Sequence, residues 1–424
     1  MEEMPDWKSF GDTPPRALLV GTYSAGKQAV CEEHLQELKA LSDTYGLETI
    51  TRLPLPLRSV DPTTYLGSGK VEALKEAIEE HTIDLVVLDF DVSPSQQRNL
   101  EKALKRTVLD RTEIILDVFA KHARTKEAHI QIDLAKVRYE FPRLKRLWTH
   151  LSRQRGGGLA VKGAGEKQIE IDRRLLEHKE ARLLKQLEEV RKHRATQRSA
   201  RQSSGTPIFA IVGYTNAGKS TLLNALTGSD VLVEDQLFAT LDTTTRQFLL
   251  PNKQKVLLID TVGFIRKLPH GLVAAFKSTL EEVTFADVLL HVIDASSPTA
   301  VEQSQETLAV LKELGASDKP TITLLNKADK GSGMALKLRT LYPKTVPISA
   351  LEKSGFDHLA ERMEEELAAL RKELSLRIPQ SDYALVSELL RTGEVLSQEY
   401  EENDILIRAR VPAQLIHRVE HYVT

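Results

Sequence analysis

The eight residues Gly213-Tyr214-Thr215-Asn216-Ala217-Gly218-Lys219-Ser220 have the composition and spacing of a loop that wraps a phosphate. Glycines let backbone N–H groups turn inward around an anion, and a helix N-terminus behind them adds positive dipole. Lys219 is placed to reach the β- and γ-phosphates, and the Ser220 hydroxyl to ligate Mg²⁺. The apolar run Ile208–Val212 precedes the loop and the helical pattern Thr221–Leu226 follows it. Strand, loop and helix in that order are the context such a loop requires.

A second apolar strand, Leu257–Ile259, ends in Asp260-Thr261-Val262-Gly263. Asp260 is expected beside the Mg²⁺ through a water. The Gly263 N–H is expected at the γ-phosphate, so its position would depend on whether that phosphate is present. A third strand, Thr321–Leu325, runs into Asn326-Lys327-Ala328-Asp329. The Asp329 carboxylate can accept from N1–H and the 2-amino group of guanine. Adenine offers an acceptor at N1 and no amine at C2, and would leave the carboxylate unpaired. The Lys327 stem can lie along the base plane, and Ser349-Ala350-Leu351 can bring a backbone N–H to guanine O6. These ordered motifs specify a GTP/GDP site, with ATP a remote alternative there. Between the first two motifs, Thr240, Thr243, Thr244 and Thr245 are four candidates for the hydroxyl that completes the Mg²⁺ shell, and spacing does not choose among them. After Gly263 comes Phe264, where Ras-type enzymes place a water-orienting glutamine. Slow intrinsic turnover, raised by a partner, is the expectation.

The elements that must hold these residues read as α/β. The chain has 424 residues, 41% hydrophobic and 28% charged, enough for several domains with real cores. Its one cysteine, Cys31, precludes an intramolecular disulfide and suits a cytoplasmic location. The acidic start Met1–Asp6 lacks an apolar signal core, and no stretch is long enough to span a bilayer. Residues 1–120 read as alternating α and β. Ala17–Val20 and Leu85–Leu88 are strands, with Glu113–Leu116 a further one. Glu32–Tyr45, stopped by Gly46, and Gly69–Glu80 are helices. Within this region Gly21-Thr22-Tyr23-Ser24-Ala25-Gly26-Lys27-Gln28 nearly copies the phosphate loop, but Gln28 replaces the Mg²⁺-binding hydroxyl. It reads as a glycine turn, or else as a second, weak nucleotide site.

Residues 121–205 change to long helices. Ile130, Leu134, Val137, Phe141, Leu144, Trp148 and Leu151 form one apolar seam, which Pro142 is expected to kink; Ile169, Leu176, Leu183, Leu187 and Val190 form another. Between them the glycine-rich basic stretch 152–167 reads as the tip of a helical hairpin. From Phe141 to Gly205 there are 17 Lys and Arg against 7 Asp and Glu, although the whole chain carries only −2. That asymmetry points to a polyanionic partner. Residues 206–375 form the GTPase domain, closed by a helix over Gly355–Glu373. Residues 376–424 form a small α+β appendage with a strand at Asp404–Val411 between helical patterns at Tyr383–Leu390 and Gln414–Tyr422.

This combination resembles the HflX family of translational GTPases over the whole chain. The likeness rests on Gly67-Ser68-Gly69-Lys70-Val71-Glu72, on Arg155-Gly156-Gly157-Gly158 through Gly163-Ala164-Gly165-Glu166 with Asp172-Arg173-Arg174, on Gly213–Ser220 and on Phe238-Ala239-Thr240-Leu241-Asp242. The resemblance implies that Thr240 is the Mg²⁺ ligand and that Phe238, Ala239, Leu241 and Asp242 also contact nucleotide. It places Lys219, Thr240 and Gly263 at the reacting phosphate. It implies a Ras-like GTPase fold, binding to the large ribosomal subunit and its RNA through the hairpin, subunit-stimulated GTP hydrolysis, and splitting or rescue of stalled ribosomes. Some members bind ATP through the N-terminal domain. The chain departs from the family at Gly163-Ala164-Gly165-Glu166-Lys167-Gln168, where Gly-Pro-Gly-Glu-Thr-Gln is usual. Two other readings stay open: a GTP-controlled RNA-binding switch in ribosome assembly, and a protein-binding switch using the hairpin as a coiled coil. Nothing demands a dimer, so a monomer is expected.

Overall fold

The computed structural model describes residues 13–154, 162–203, 206–228, 237–238, 241, 243–268, 272, 276–331 and 333–424; in the hairpin, side chains are described up to 143 and from 170 to 192. The chain forms two compact units. One is Met1–Glu188 with Glu234–Leu241 and Lys267–Phe276; the other is Glu189–Val233 with Asp242–Arg266 and Lys277–Thr424.

The first unit carries β1 (Arg16–Tyr23), α1 (Gln28–Tyr45), β2 (Glu48–Pro56), α2 (Ser68–Glu80), β3 (Leu85–Leu88), α3 (Pro94–Leu104), β4 (Thr107–Asp110), α4 (Arg111–His122) and α5 (Lys126–Gln154). Its sheet has the order β2-β1-β3-β4 and is parallel throughout. Helices cover both faces, so β3 is wholly buried and reads as an unbroken apolar run. Leu18, Val20, Val86 and Leu88 pack on α2 and α3 through Leu74, Ile78 and Leu100. Gly46, in the left-handed region at φ 109°, ends α1 as its position predicts. A capping box of Ser93 and Gln96, with Pro94 behind the cap, starts α3.

Glu113–Leu116 is not a strand but the buried middle of α4. The Asp110 side chain accepts from Glu113 N at 2.9 Å and caps that helix. A helix buried on several sides carries the same short apolar run as a strand. The expected loop over 152–167 is helical at both of its ends. Helix α5 continues to Gln154, and α6 (Lys162–Ser203) already contains Gly163 and Gly165. Ile130, Leu134 and Val137 on α5 and Leu183 and Leu187 on α6 are buried, as the seam requires. Helix α5 runs through Pro142. Leu144, Trp148, Leu151 and Ile169 lie outside the described side chains.

The second unit takes in the end of α6 and continues with β5 (Ile208–Gly213), α7 (Lys219–Thr227), β6 (Thr244–Leu249), β7 (Lys255–Asp260), α8 (Lys277–Phe285), β8 (Val288–Asp294), α9 (Ala300–Glu313), β9 (Thr321–Asn326), α10 (Met334–Leu341), β10 (Thr345–Pro347) and α11 (Phe356–Leu370). The sheet order is β10-β9-β8-β5-β7-β6, parallel except for β6 against β7. Phe209, Ile211, Leu258, Leu290 and Leu324 fill its core with Leu222 and Leu223 of α7 and Leu359 and Met363 of α11. Truncating Leu290 to Ala in so tight a core costs about 2–5 kcal/mol. Helix α11 stops at Leu370, short of Glu373, because Lys372 already opens β11 (Lys372–Pro379). With α12 (Tyr383–Thr392), β12 (Glu394–Glu401), β13 (Asp404–Val411) and α13 (Ala413–Val419), β11 forms an antiparallel sheet of order β11-β13-β12 over an apolar core. The fold is thus multidomain α/β, with a mainly parallel sheet in each of its two larger sheets and a small α+β end.

Candidate functional site

The site is built on the carboxyl ends of β5, β7, β8 and β9. All six residues of β5 are buried, which fixes where the loop after it emerges. Helix α7 begins at Lys219, two residues before Thr221, so Lys219, Ser220 and Thr221 form its first turn, whose N–H groups have no intrahelical partner. The turn depends on Gly218, at φ +94°; a Cβ there would stand 2.2 Å from Asn326 Nδ2. Lys219 is buried and its Nζ donates to Tyr214 O at 2.8 Å. Burial holds its pKa down to about 8, opposed by the Asp260 carboxylate. Ser220 Oγ donates to Asp260 Oδ2 at 2.6 Å. A hydroxyl and a carboxylate converge there at the loop, hard oxygen donors of the kind Mg²⁺ takes.

The segment after β7 lies directly against the loop. Thr261 Oγ1 donates to Ile211 O at 2.7 Å. Phe264 N donates to Gly213 O at 3.1 Å and Thr215 N to Phe264 O at 2.7 Å, a parallel bridge centred on Tyr214 and Phe264. Arg266 N donates to the Tyr214 hydroxyl at 2.7 Å. This approach needs glycine at 263, where a Cβ would fall 2.8 Å from Thr215 Cα and 3.0 Å from Lys219 Nζ. Val262 is buried, and the Phe264 side chain is 1% exposed in the core, so it offers nothing to a water.

The loop after β9 is lashed to both of its neighbours. Asn326 Nδ2 donates to Ala217 O at 2.8 Å, and its Oδ1 accepts from Ala350 N at 2.9 Å. Lys327 adopts φ +61° and its Nζ donates to Asn216 O at 3.0 Å. Ala328 and Asp329 are exposed, and Asp329 Oδ1 accepts from Ser349 Oγ at 2.6 Å. Ser349 N donates to Ser354 O at 3.2 Å, and Leu351 is 78% exposed. Residues 213–221, 260–263, 326–329 and 349–351, scattered through the sequence, therefore meet at the carboxyl ends of the inner strands of one sheet. One further residue was missed in the sequence: Asp294, at the end of β8, whose Oδ2 stands 2.7 Å from Lys327 Nζ. An apolar strand ending in an acid, as at Asp260, was the available signal.

Phe238 and Leu241 belong to the first unit, where Phe238 is buried with its ring 4.3 Å from that of Phe119. Ala239, Thr240 and Asp242 lie outside the described residues. Of the other candidate threonines, Thr244 and Thr245 lie in β6, opposite Asp260 and Ile259 of β7.

A phosphate-type loop on a mainly parallel sheet, with a guanine-type Asn-Lys-x-Asp on the next strand end but one, defines a P-loop GTPase. Residues 208–327 match the family model described as "50S ribosome-binding GTPase". Residues 32–120 match "GTP-binding GTPase N-terminal" and 122–201 match "GTP-binding GTPase Middle Region". Among curated proteins, the GTPase HflX of Chlamydia pneumoniae is 46% identical, over 97% of this chain and 89% of that protein. The GTPase HflX of Caldanaerobacter subterraneus subsp. tengcongensis is 43% identical, over 96% of this chain and 94% of its own length. A GTP-binding protein from Sulfolobus solfataricus, solved in complex with GDP, is 28% identical over 83% of this chain and 98% of that one, with a TM-score of 0.43. The chain belongs to the HflX family of GTPases; it binds and hydrolyses GTP. Among the described residues no helix is long and apolar enough to cross a membrane.

Proposed function

We propose that this GTPase works on the large ribosomal subunit in the cytoplasm, as a monomer, and splits or rescues stalled ribosomes. The observation that carries the reading is the charge of the hairpin region, 17 Lys and Arg against 7 Asp and Glu over Phe141–Gly205 in a chain of net charge −2. Structured RNA is met through backbone and phosphate contacts, which such a segment supplies. The family model over 208–327, described as ribosome-binding, supports it. The organisation proposed is an N-terminal α/β part over 1–120, the hairpin over 121–205, the GTPase domain over 206–375 and the appendage over 376–424.

At the nucleotide, the loop 213–218 wraps the phosphates, Lys219 reaches their oxygens, and Asp329 with Lys327 selects guanine. Ser220 and Thr240 would hold Mg²⁺, with Asp260 beside it as a further oxygen donor. Mg²⁺, when bound, neutralises charge on the β- and γ-phosphate oxygens. Gly263 meets the γ-phosphate with its N–H. The Phe264 ring is buried and its backbone is bridged to the loop, so orientation of the attacking water falls to another group. A ribosomal partner that supplies or rearranges that group explains a GTPase that is slow alone.

The test is GTP hydrolysis with and without purified large subunits at two salt concentrations. Strong stimulation that falls steeply with salt supports the reading, since phosphate contacts release counterions. Stimulation by free RNA as well would favour the assembly switch. Salt-insensitive binding to a protein, with no stimulation, would favour the coiled-coil switch. ATP binding at the first unit is tested by an ATP titration of the Lys219→Ala variant: retained binding supports it, and loss assigns the ATP to the GTP site.

A further inference from the structure

We infer that Asp294 is a positioning residue for the guanine site: it holds the Lys327 ammonium so that the lysine stem lies flat for the base. The inference rests on the reading of the Asn326–Asp329 loop as the guanine loop. Lys327 leaves the β9 end in the left-handed region, φ +61°, which swings its side chain back across the sheet edge toward β8 and the phosphate loop. Its Nζ is then fixed at two points, Asn216 O at 3.0 Å and Asp294 Oδ2 at 2.7 Å. Three donors on one nitrogen with two fixed acceptors leave the four-carbon stem little freedom.

Asp294 is itself immobilised, and by its other oxygen. Oδ1 accepts from Ser296 N at 2.9 Å and from Ser296 Oγ at 2.6 Å. The carboxylate thus divides its work: one oxygen closes the turn after β8, the other faces the lysine. The side chains of Lys327 and Asp294 are 23% and 17% exposed, so the pair is shielded more than a surface ion pair. The sheet order explains why Asp294 has the post. β8 is the strand between β5, which ends in the phosphate loop, and β9, which ends in the guanine loop. An acid at the β8 end therefore stands between the two loops that Lys327 bridges. Asp260, at the β7 end on the far side of β5, serves Ser220 in the same way. A lysine under the base plane acts on the ring face. Asp294 is thus expected to strengthen binding of any purine whose edge the site accepts, without choosing among edges.

The test is a double-mutant cycle on nucleotide affinity by calorimetry, in the full chain, with GDP and IDP as probes. Asp294→Asn keeps an oxygen for Ser296 and removes the charge facing Lys327. Lys327→Met keeps the stem and removes the ammonium. Asp294→Asn is expected to weaken GDP and IDP alike, by about two- to fivefold. It is expected to add nothing further to Lys327→Met, and Asp294→Glu to recover part of the loss. A merely structural role would give additive losses in the cycle or a lower melting temperature with unchanged affinity, and either result overturns the inference. Asp329→Asn is the control for the underlying reading. If it left guanine preferred over xanthine, the guanine loop itself would be misassigned, whatever Asp294 did.

Discussion

The chain contains two loops that look alike in sequence and differ in everything around them. Both stretches lead from a parallel strand into a helix, but Gly21–Tyr23 are still strand, paired with β2, whereas only Gly213 of Gly213–Ser220 belongs to β5. In the second loop the lysine is buried and turned back onto Tyr214 O, the hydroxyl meets Asp260, and side chains from β9 clasp the backbone at Asn216 and Ala217. In the first, Lys27 is exposed, and Gln28 is engaged with Glu32 of its own helix through Nε2 to Oε1 at 3.0 Å. The space a Cβ would need at Gly21 is taken by Cys31 Sγ at 2.7 Å, a packing reason for glycine rather than a ligand reason. A phosphate loop is thus defined less by its own letters than by what the neighbouring strand ends bring to it.

The largest difference should appear on removing the two lysines. Lys219→Ala is expected to weaken GTP binding by about a hundredfold or more, because it deletes a charge-assisted contact to the phosphates. Lys27→Ala should leave GTP binding unchanged in the same fluorescence titration. Equal losses would erase the distinction between the loops. A glycine pair sharpens the same contrast. Gly218→Ala forces a Cβ to within 2.2 Å of Asn326 Nδ2 at φ +94°, and should break the clasp between loop and β9. Loss of about 2–3 kcal/mol of stability and about tenfold in GDP affinity is expected. Gly26, at φ +78°, has nothing within 4 Å of that position, so Gly26→Ala bears only the left-handed strain, about 1 kcal/mol. Thermal melts and GDP titrations of the two variants check both.

How far the sequence discloses this depends on whether the signal is local. Strands buried on both faces, such as Leu85–Leu88 and Ile208–Gly213, are apolar runs bounded by turn residues, and they were legible. The edge strand β2 was not: Pro54 and Pro56 in Glu48–Pro56 argue against a strand, and only an edge tolerates them. The buried middle of α4 passed for a strand because its short apolar run carries no period. Within the site, the motif residues could be named but their clasps could not. Asn326 to Ala217 and Lys327 to Asn216 span more than a hundred positions. Asp294 belongs to no motif: an acid at the end of an apolar strand is legible, but its pairing with Lys327 follows only from the sheet order that puts β8 between the two loops.

The sheets beneath the loops also differ in what they bury, and pH should separate them. In the second unit His291 is buried on β8, its two ring nitrogens without hydrogen-bond partners, and burial holds its pKa down to about 4. Its folded value lies below the ordinary value of about 6.5, so this contribution to stability is fully present above pH 6.5 and is lost as pH falls toward 4. In the first unit Glu113 is pushed up to about 8, by burial first and then by Asp110 and Asp117. Its contribution has the opposite sign: present at low pH, and lost as pH rises through about 8. Calorimetric melts across pH should show an acid limb that His291→Leu flattens and an alkaline limb that Glu113→Gln flattens, each worth about 1–3 kcal/mol.

The smallest expected effect tests the comparison most directly. Gln28→Ser completes the phosphate-loop letters in the first unit, from Gly21 to a serine after Lys27. If letters were sufficient, the variant would gain a second Mg²⁺-dependent GTP site. No such gain is expected. The neighbouring strand β3 ends at Leu88, and Asp89 just beyond it is committed to Arg111 at 3.0 Å. The new serine would therefore lack the second oxygen that Asp260 gives Ser220 at 2.6 Å. Nor does an exposed Lys27 have a clasp to hold it over a phosphate, as Asn326 and Lys327 hold the backbone around Lys219. A stoichiometry of one GTP in the variant, measured with Mg²⁺ present, keeps the distinction with the strand ends. A stoichiometry of two would return it to the loop.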